Sequence, residues 1–186
     1  MLKWLANIIL RIGGWKTLGE IPSISQAVFL AAPHTSNWDG FWLLVYKVAI
    51  DLDVRFLAKD TLFWWPLSSI LRALGAMSLD RDDASGIVLQ LVRAFEQQDC
   101  LFLALAPEGT RGWRPQWKTG FHRISSAASV PIVLARIDYD KREIGIGPTL
   151  PPGRSLEQDF NEIRAYYIDV RGRHPEKQGP ITFMTE

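Results

Sequence analysis

The segment QAVFLAAPHTSNWDGFWLLVYKVAI, residues 26–50, consists of an apolar run, a polar loop and a second, longer apolar run. It starts with an apolar run that predicts a short buried β-strand, stopped at Pro33 because proline has no amide hydrogen to extend a sheet. Residues 40–50 are apolar on most sides and predict a buried α-helix. Between the two lies a polar loop that contains His34 and Asp39. The segment therefore predicts a strand followed by a helix, with two polar residues where the strand ends.

The rest of the chain repeats this alternation of apolar strands and longer helical segments. Predicted strands lie within residues 53–60, 75–81, 100–106, 130–140 and 142–150, and predicted helices lie within residues 61–75, 82–99 and 155–175. Several strands are apolar throughout, which is typical of a sheet with both faces covered. The pattern predicts an α/β fold in a single domain, with a mostly parallel or mixed sheet covered by helices.

Three of the predicted helix boundaries carry local signals. Pro66 lies inside the predicted helix at 61–75 and should break it, because proline is tolerated only in a first helical turn. Asp82 or Asp83 can cap the next helix. Ser155 and Gln158 have the spacing of a capping box at the start of the last one.

The N-terminal segment MLKWLANIILRIGGW predicts an amphipathic helix. Lys3, Asn7 and Arg11 recur every four residues on one side, with apolar residues on the other. We divide the chain into this helical segment, residues 1–20, and a single core domain, residues 21–186. Such a helix either lies in a membrane interface or packs on its own domain, and the sequence leaves both open. No apolar run is long enough to predict a membrane-spanning helix.

Composition and residue spacing argue against nucleic-acid binding, an intramolecular disulfide and a metal site. The net charge of +1 gives no support to nucleic-acid binding. Cys100 is the single cysteine, so no intramolecular disulfide can form, and a reducing compartment is the simplest inference. His34, His122 and His174 are not spaced with cysteines or carboxylates as metal ligands, so no metal site is predicted.

The two most polar strand ends are APHTSNWD, residues 32–39, and APEGTR, residues 106–111. Binding sites in open α/β sheets gather outside the carboxyl ends of the strands. We therefore expect these two loops to share one site.

Four blocks occur in a fixed order: HTSNWD at 34–39, GAMSLDR at 75–81, PEGTR at 107–111 and VPIV at 130–133. Together they resemble the glycerophosphate and lysophosphatidate acyltransferase family, whose members show an H-x-x-x-x-D block, a G-x-x-x-x-D-R-like block, F-P-E-G-T-R and V-P-I-V. The resemblance covers roughly residues 25–150. Ala106 replaces the usual phenylalanine before the third block, and the second block is a loose version of the family's.

The resemblance implies transfer of a fatty acyl group from acyl-CoA or acyl carrier protein to the hydroxyl of a lysophospholipid or glycerophosphate-type acceptor. His34 suits the role of general base because a neutral imidazole titrates near neutral pH. Asp39 would fix its tautomer and stabilise the imidazolium. We expect direct attack by the acceptor without an acyl-enzyme and without a cofactor, and we expect Ser36 to cap a helix rather than act as a nucleophile.

The resemblance also implies a set of substrate-binding residues. Arg111 is the strongest candidate for the acceptor phosphate, because a guanidinium binds phosphate bidentately. Glu108 would accept a hydrogen bond from the acceptor hydroxyl or orient Arg111. Donors to the thioester oxygen would come from the amides after His34 or from those near Gly109. The full predicted set is Glu108, Gly109, Thr110, Arg111, Arg81 and Lys59, with Lys118 as a further candidate for the phosphate of the donor.

Because the implied acceptor and product are lipids, the resemblance implies a peripheral protein at the cytoplasmic face of a membrane. The eight tryptophans and the N-terminal helix agree with a membrane surface, since tryptophan favours the membrane interface. Core packing is the alternative for at least half of these tryptophans. Two other functions stay open: a thioesterase-like hydrolase that uses water at the same site, and a lipid-binding module without activity.

Overall fold

The computed structural model describes residues 2–59, 61, 63–79 and 84–183, without the side chains at positions 59, 79, 84 and 85. Within this part of the chain there are seven strands and six α-helices. In chain order they are α1 (Leu2–Ile12), β1 (Lys16–Leu18), β2 (Gln26–Ala32), α2 (Asn37–Ile50), β3 (Val54–Lys59), α3 (Leu67–Ala73), β4 (Ala76–Leu79), α4 (Ala84–Glu96), β5 (Leu101–Leu105), α5 (Gly120–Ala128), β6 (Ile132–Asp138), β7 (Glu143–Leu150) and α6 (Leu156–Tyr167).

The strands form one mixed sheet in the order β1-β7-β6-β2-β5-β3-β4. Strands β6, β2, β5, β3 and β4 are parallel to their neighbours in this series, whereas β7 pairs with β6 in the antiparallel sense. The carboxyl ends of the five parallel strands therefore meet at one edge. The predicted α/β class with a mixed, covered sheet is confirmed.

Strand β2 shows why the sheet has helices on both faces. Its side chains alternate between two apolar clusters, as the two-residue period of a strand requires. Val28 and Leu30 face a cluster that includes residues of α4, α5 and α6. Ala27 and Phe29 face a second cluster, which includes residues of α1 and α2. The apolar run at 26–32 is thus buried on both sides and forms the centre of a three-layer domain.

Tyr167, at the end of α6, joins that helix to the sheet through a fully buried hydroxyl. The hydroxyl lies 2.5 Å from the carbonyl oxygen of Leu30 and 2.9 Å from that of Ala135, and it accepts a hydrogen bond from the Ala135 amide. The pairing of β6 with β7 shifts register between Val133 and Ala135. A side chain thus supplies polar partners at an irregularity of the ladder, where backbone pairing is disrupted.

Helix α1 packs against α2 through one side, with Ala6 and Leu10 buried. Its other side leaves Leu2, Trp4 and Ile12 exposed. Strand β1, which the sequence analysis did not predict, follows α1 and pairs with β7. The division at residue 20 stays a prediction. Among the described residues, no helix is long and apolar enough to cross a membrane.

Two of the three local helix signals lie among the described residues. Helix α3 begins only after Pro66, as the proline predicts, and residues 63–66 are not helical. Helix α6 begins with the predicted capping box of Ser155 and Gln158. Asp82 and Asp83, the predicted caps of α4, lie outside the described residues.

Candidate active site

The loop between β2 and α2 brings His34 and Asp39 together. Ser36 is the N-cap of α2, and its hydroxyl accepts a hydrogen bond from the amide of Trp38. Asp39 is the third residue of the helix and completes a capping box with Ser36. In this position its Oδ2 lies 3.3 Å from Nδ1 of His34. The predicted helix-capping role of Ser36 is confirmed, and the helix start itself places the carboxylate beside the imidazole.

The carboxylate of Asp39 is fully buried and accepts hydrogen bonds at both oxygens. Oδ2 accepts from the amides of Thr35 and Ser36 at 2.7 and 2.8 Å, and Oδ1 accepts from the hydroxyl of Tyr139 at 2.8 Å. Burial alone would raise the pKa of Asp39, but His34 and these donors outweigh it and lower the pKa. Asp39 is therefore an anion that can hold Nδ1–H of a neutral His34 and leave Nε2 as the basic atom.

Glu108 connects the two polar loops. Its Oε1 accepts a hydrogen bond of 2.9 Å from the backbone amide of His34. The side chain is buried, and its Oε2 has no hydrogen-bond partner among the described residues. Burial raises the pKa of the Glu108 carboxyl, outweighing the hydrogen bond from the His34 amide. The expectation that the loops share one site agrees with this contact, although its target, the main chain of His34, was not predicted.

Gly109, Thr110 and Arg111 continue the second loop. Gly109 has φ +65°, and a Cβ there would lie 2.8 Å from Cε of Lys118, so the lysine side chain crosses directly over the glycine. The guanidinium of Arg111 donates to Oδ1 of Asn37, at the start of α2. Arg111 is thus held beside the loop that carries His34, by an uncharged partner.

Several of the backbone amides proposed as donors to a thioester oxygen already have acceptors in the structure. The amides of Thr35 and Ser36 already donate to Asp39, and the amide of Gly109 donates to the carbonyl of Ala106. Of the amides proposed from the sequence, this leaves those of Asn37, at the start of α2, and Thr110, in the second loop, without an acceptor among the described residues.

The remaining predicted residues are not brought to the site by described contacts. Arg81 lies outside the described residues, and Lys59 ends β3 but its side chain is not described. Both stay predictions. Among the described residues, no cluster of three or more histidine, cysteine, aspartate or glutamate residues could hold a metal ion.

Two residues near the dyad were missed by the sequence analysis. Tyr139 follows the last residue of β6, and Arg173 lies 5.6 Å from the ring centroid of Trp38 and 5.9 Å from that of Tyr139. A signal for Tyr139 existed, since it comes directly after a strand that ends at the same edge as β2. Arg173 offered none, because it lies far along the chain in a segment without a motif.

Comparison with known proteins adds the family. The sequence profile of the family described as Acyltransferase matches residues 16–137, which include all four blocks. The chain therefore belongs to the acyltransferase family, and the family predicted from the blocks is confirmed. A comparison with curated proteins finds no match.

A solved structure has a similar fold. It is the crystal structure of the 1-acyl-sn-glycerophosphate (LPA) acyltransferase, PlsC, from Thermotoga maritima. The likeness has a TM-score of 0.62 at 18% sequence identity, and it covers 90% of this chain and 74% of that chain. At this identity, the likeness shows a shared fold.

The raised pKa of Glu108 predicts a pH-dependent effect of Glu108→Gln on stability. The folded protein binds the proton of this carboxyl more tightly than the unfolded chain does. The contribution of the carboxyl to the unfolding free energy therefore falls as pH rises from the ordinary pKa of 4.5 through the folded pKa. A glutamine side chain stays neutral and has no proton to lose in this pH range. We expect the unfolding free energy of Glu108→Gln, relative to wild type, to increase between about pH 5 and about pH 8.

Urea unfolding at the two pH values measures this difference. Glu157→Gln, an exposed position on α6, is the matched control and should show no comparable change with pH. A difference for Glu108→Gln that stays constant or falls as pH rises would show that the folded state does not hold this proton.

Proposed function

We propose that this acyltransferase moves a fatty acyl group from acyl-CoA or acyl carrier protein to the hydroxyl of a lysophospholipid or glycerophosphate-type acceptor. The observation that carries the proposal is the buried, fully hydrogen-bonded Asp39 carboxylate 3.3 Å from Nδ1 of His34. A carboxylate in this position sets the tautomer of the imidazole and stabilises its protonated form. The exposed fraction of the His34 side chain, 27%, leaves the ring accessible to a substrate.

The reaction follows from this arrangement. Nε2 of His34 takes the proton of the acceptor hydroxyl as its oxygen attacks the thioester carbonyl carbon. The C–S bond breaks, and the departing thiolate takes the proton back from the imidazolium. The acceptor oxygen then carries the acyl group as an ester. No covalent acyl-enzyme is required, and the donor is a substrate rather than a bound cofactor.

The second loop supplies groups for the acceptor. Arg111 is held by an amide oxygen rather than by a carboxylate, so its charge stays available to a phosphate. Oε2 of Glu108 has no hydrogen-bond partner among the described residues and is a further polar atom that can pair with the acceptor. We propose that Glu108, Gly109, Thr110 and Arg111 bind the acceptor, and we retain Arg81 and Lys59 as additional phosphate ligands.

A membrane surface is the proposed partner. Helix α1 exposes Leu2, Trp4 and Ile12 beside the basic residues Lys3 and Arg11. Apolar side chains flanked by basic ones bind the interface of an anionic bilayer. We propose a peripheral location at the cytoplasmic face, where the lipid acceptor is reached from the bilayer.

Purified protein should release thiol from acyl-CoA or acyl carrier protein only when lysophosphatidic acid is present, and His34→Ala should lower that rate about 10²- to 10⁴-fold. The reason is the loss of the general base. A thiol assay with and without acceptor measures both effects. His174→Ala, which removes a partly exposed imidazole outside the dyad, is the matched control.

Release without acceptor would instead identify a hydrolase. Full activity of His34→Ala would remove the proposed base. Absence of transfer with both donors and a panel of lysophospholipids would favour the lipid-binding module.

Arg111→Gln should raise the KM for a phosphate-bearing acceptor about tenfold to a hundredfold and change the KM for the donor much less. A hydrogen bond to a charged group is worth roughly 1.5–3 kcal/mol, which corresponds to this range. Steady-state kinetics with lysophosphatidic acid measure the effect. Arg114→Gln, an exposed arginine in the same loop, is the control, and equal KM values for the two variants would exclude the proposed contact.

Ile12→Ala should weaken binding to anionic phospholipid vesicles about tenfold, because an isoleucine that enters the bilayer contributes roughly 1.5–3 kcal/mol. Co-sedimentation with such vesicles measures the binding. Ile168→Ala makes the same substitution at an exposed position just after α6, the helix on the opposite face of the sheet. If both variants bind as wild type does, α1 is not the membrane contact.

A further inference from the structure

The hydroxyl of Tyr139 donates a 2.8 Å hydrogen bond to Oδ1 of Asp39. The other oxygen, Oδ2, faces Nδ1 of His34 and the loop amides. The two oxygens therefore have separate partners, and Tyr139 is the partner that comes from a distant part of the chain.

Tyr139 is itself fixed in three ways. Its backbone amide donates to the carbonyl of Arg171 at 2.8 Å. Its ring meets the ring of Trp15 edge to face, with centroids 5.0 Å apart. The guanidinium of Arg173 lies over the same ring at 5.9 Å. A side chain held at both its backbone and its ring can impose its geometry on a hydrogen-bond partner.

We propose that Tyr139 is a positioning residue for the dyad: its hydroxyl holds Oδ1 so that Oδ2 stays aligned with Nδ1 of His34, and it sets how strongly the imidazole binds a proton. This inference deepens the proposed function, since it rests on His34 acting as the base. The family profile ends at residue 137, so Tyr139 lies outside the matched segment and none of the four blocks contains it.

The electrostatic effect of this hydrogen bond has a definite sign. A phenol that donates to Oδ1 draws negative charge away from Oδ2, which faces the imidazole. Burial, followed by the contact with Asp39, raises the pKa of Tyr139 far above its ordinary value, so the hydroxyl remains a donor. Without that donor, more negative charge remains at Oδ2, and the imidazolium is favoured more strongly.

Three other titratable groups act on this cluster. Glu108 lies on the β5–α5 loop and interacts electrostatically with both members of the dyad. Arg142, in the turn after β6, and Arg173, in the segment after α6, both act on Tyr139. All three are retained in Tyr139→Phe. Their effects on the titration midpoint of His34 are therefore the same in the variant and in the wild type, and they cancel in the comparison.

Tyr139→Phe tests the inference, because it removes the hydroxyl and keeps the ring. NMR titration of the His34 imidazole, assigned by the signal lost in His34→Ala, should show a midpoint shifted upward by roughly half a pH unit to one pH unit. The acidic limb of the kcat/KM profile should move by the same amount. Tyr46→Phe is the control, since the Tyr46 hydroxyl is bonded to the carbonyl of Leu18 and lies away from the dyad.

Two further variants keep the inference falsifiable. In an Asp39→Asn background, Tyr139→Phe should cause no further shift, because the charge that it modulates is gone. Replacing Tyr139 with 3-fluorotyrosine, whose phenol is a stronger donor, should shift the midpoint in the opposite direction and does not depend on the folding of the phenylalanine variant.

An unchanged midpoint in both Tyr139 variants, or an equal shift in Tyr46→Phe, would overturn the inference. The titration needs no substrate, so it separates this inference from the proposed function. A shifted midpoint in a protein that transfers no acyl group would support the positioning role of Tyr139 and reject the proposed reaction.

Discussion

A single buried carboxylate, that of Asp39, connects the strand, the loop and the helix of the site. An unpaired charge in this position would be very costly, because it has been removed from water. Its cost is offset by donors from the loop, from the imidazole of His34 and from the end of β6. The start of α2, the path of the loop and the orientation of the imidazole all depend on these contacts. The proposed catalytic arrangement and the local fold therefore depend on the same set of hydrogen bonds.

Positively charged side chains lie close to this site, although the chain as a whole is nearly neutral. The chain has a net charge of only +1, yet Lys118 crosses Gly109, Arg111 binds Asn37, and Arg173 lies over two aromatic rings. An amide oxygen and an aromatic ring hold a guanidinium in place without neutralising it. This is the arrangement that an anionic substrate needs, and net charge alone does not reveal it.

The sequence was sufficient to predict the alternation of strands and helices and the edge at which His34 and the PEGTR loop meet. Apolar runs such as 26–32 bury both faces, and parallel strands bring their carboxyl ends together. The target of Glu108 could not be predicted, because its oxygen binds a backbone amide, and an amide has no residue-specific pattern. Strand β1 is only three residues long, with two of them exposed, so it is too short to show a period. Tyr139 lies at the end of a predicted strand but belongs to no motif, so its position indicates the edge of the sheet while its contact with Asp39 is seen only in the fold.

The hydrogen bond from the His34 amide to Glu108 has a practical consequence. The donor is a main-chain group, so it survives any non-proline substitution at position 34, and the two loops stay connected when the imidazole is removed. An Asp39 variant differs, because the same carboxylate caps α2 and binds two loop amides. Under the proposed mechanism, a chain altered at His34 is therefore the better choice for capturing both substrates side by side in a crystal, because its loops stay connected while the base is absent.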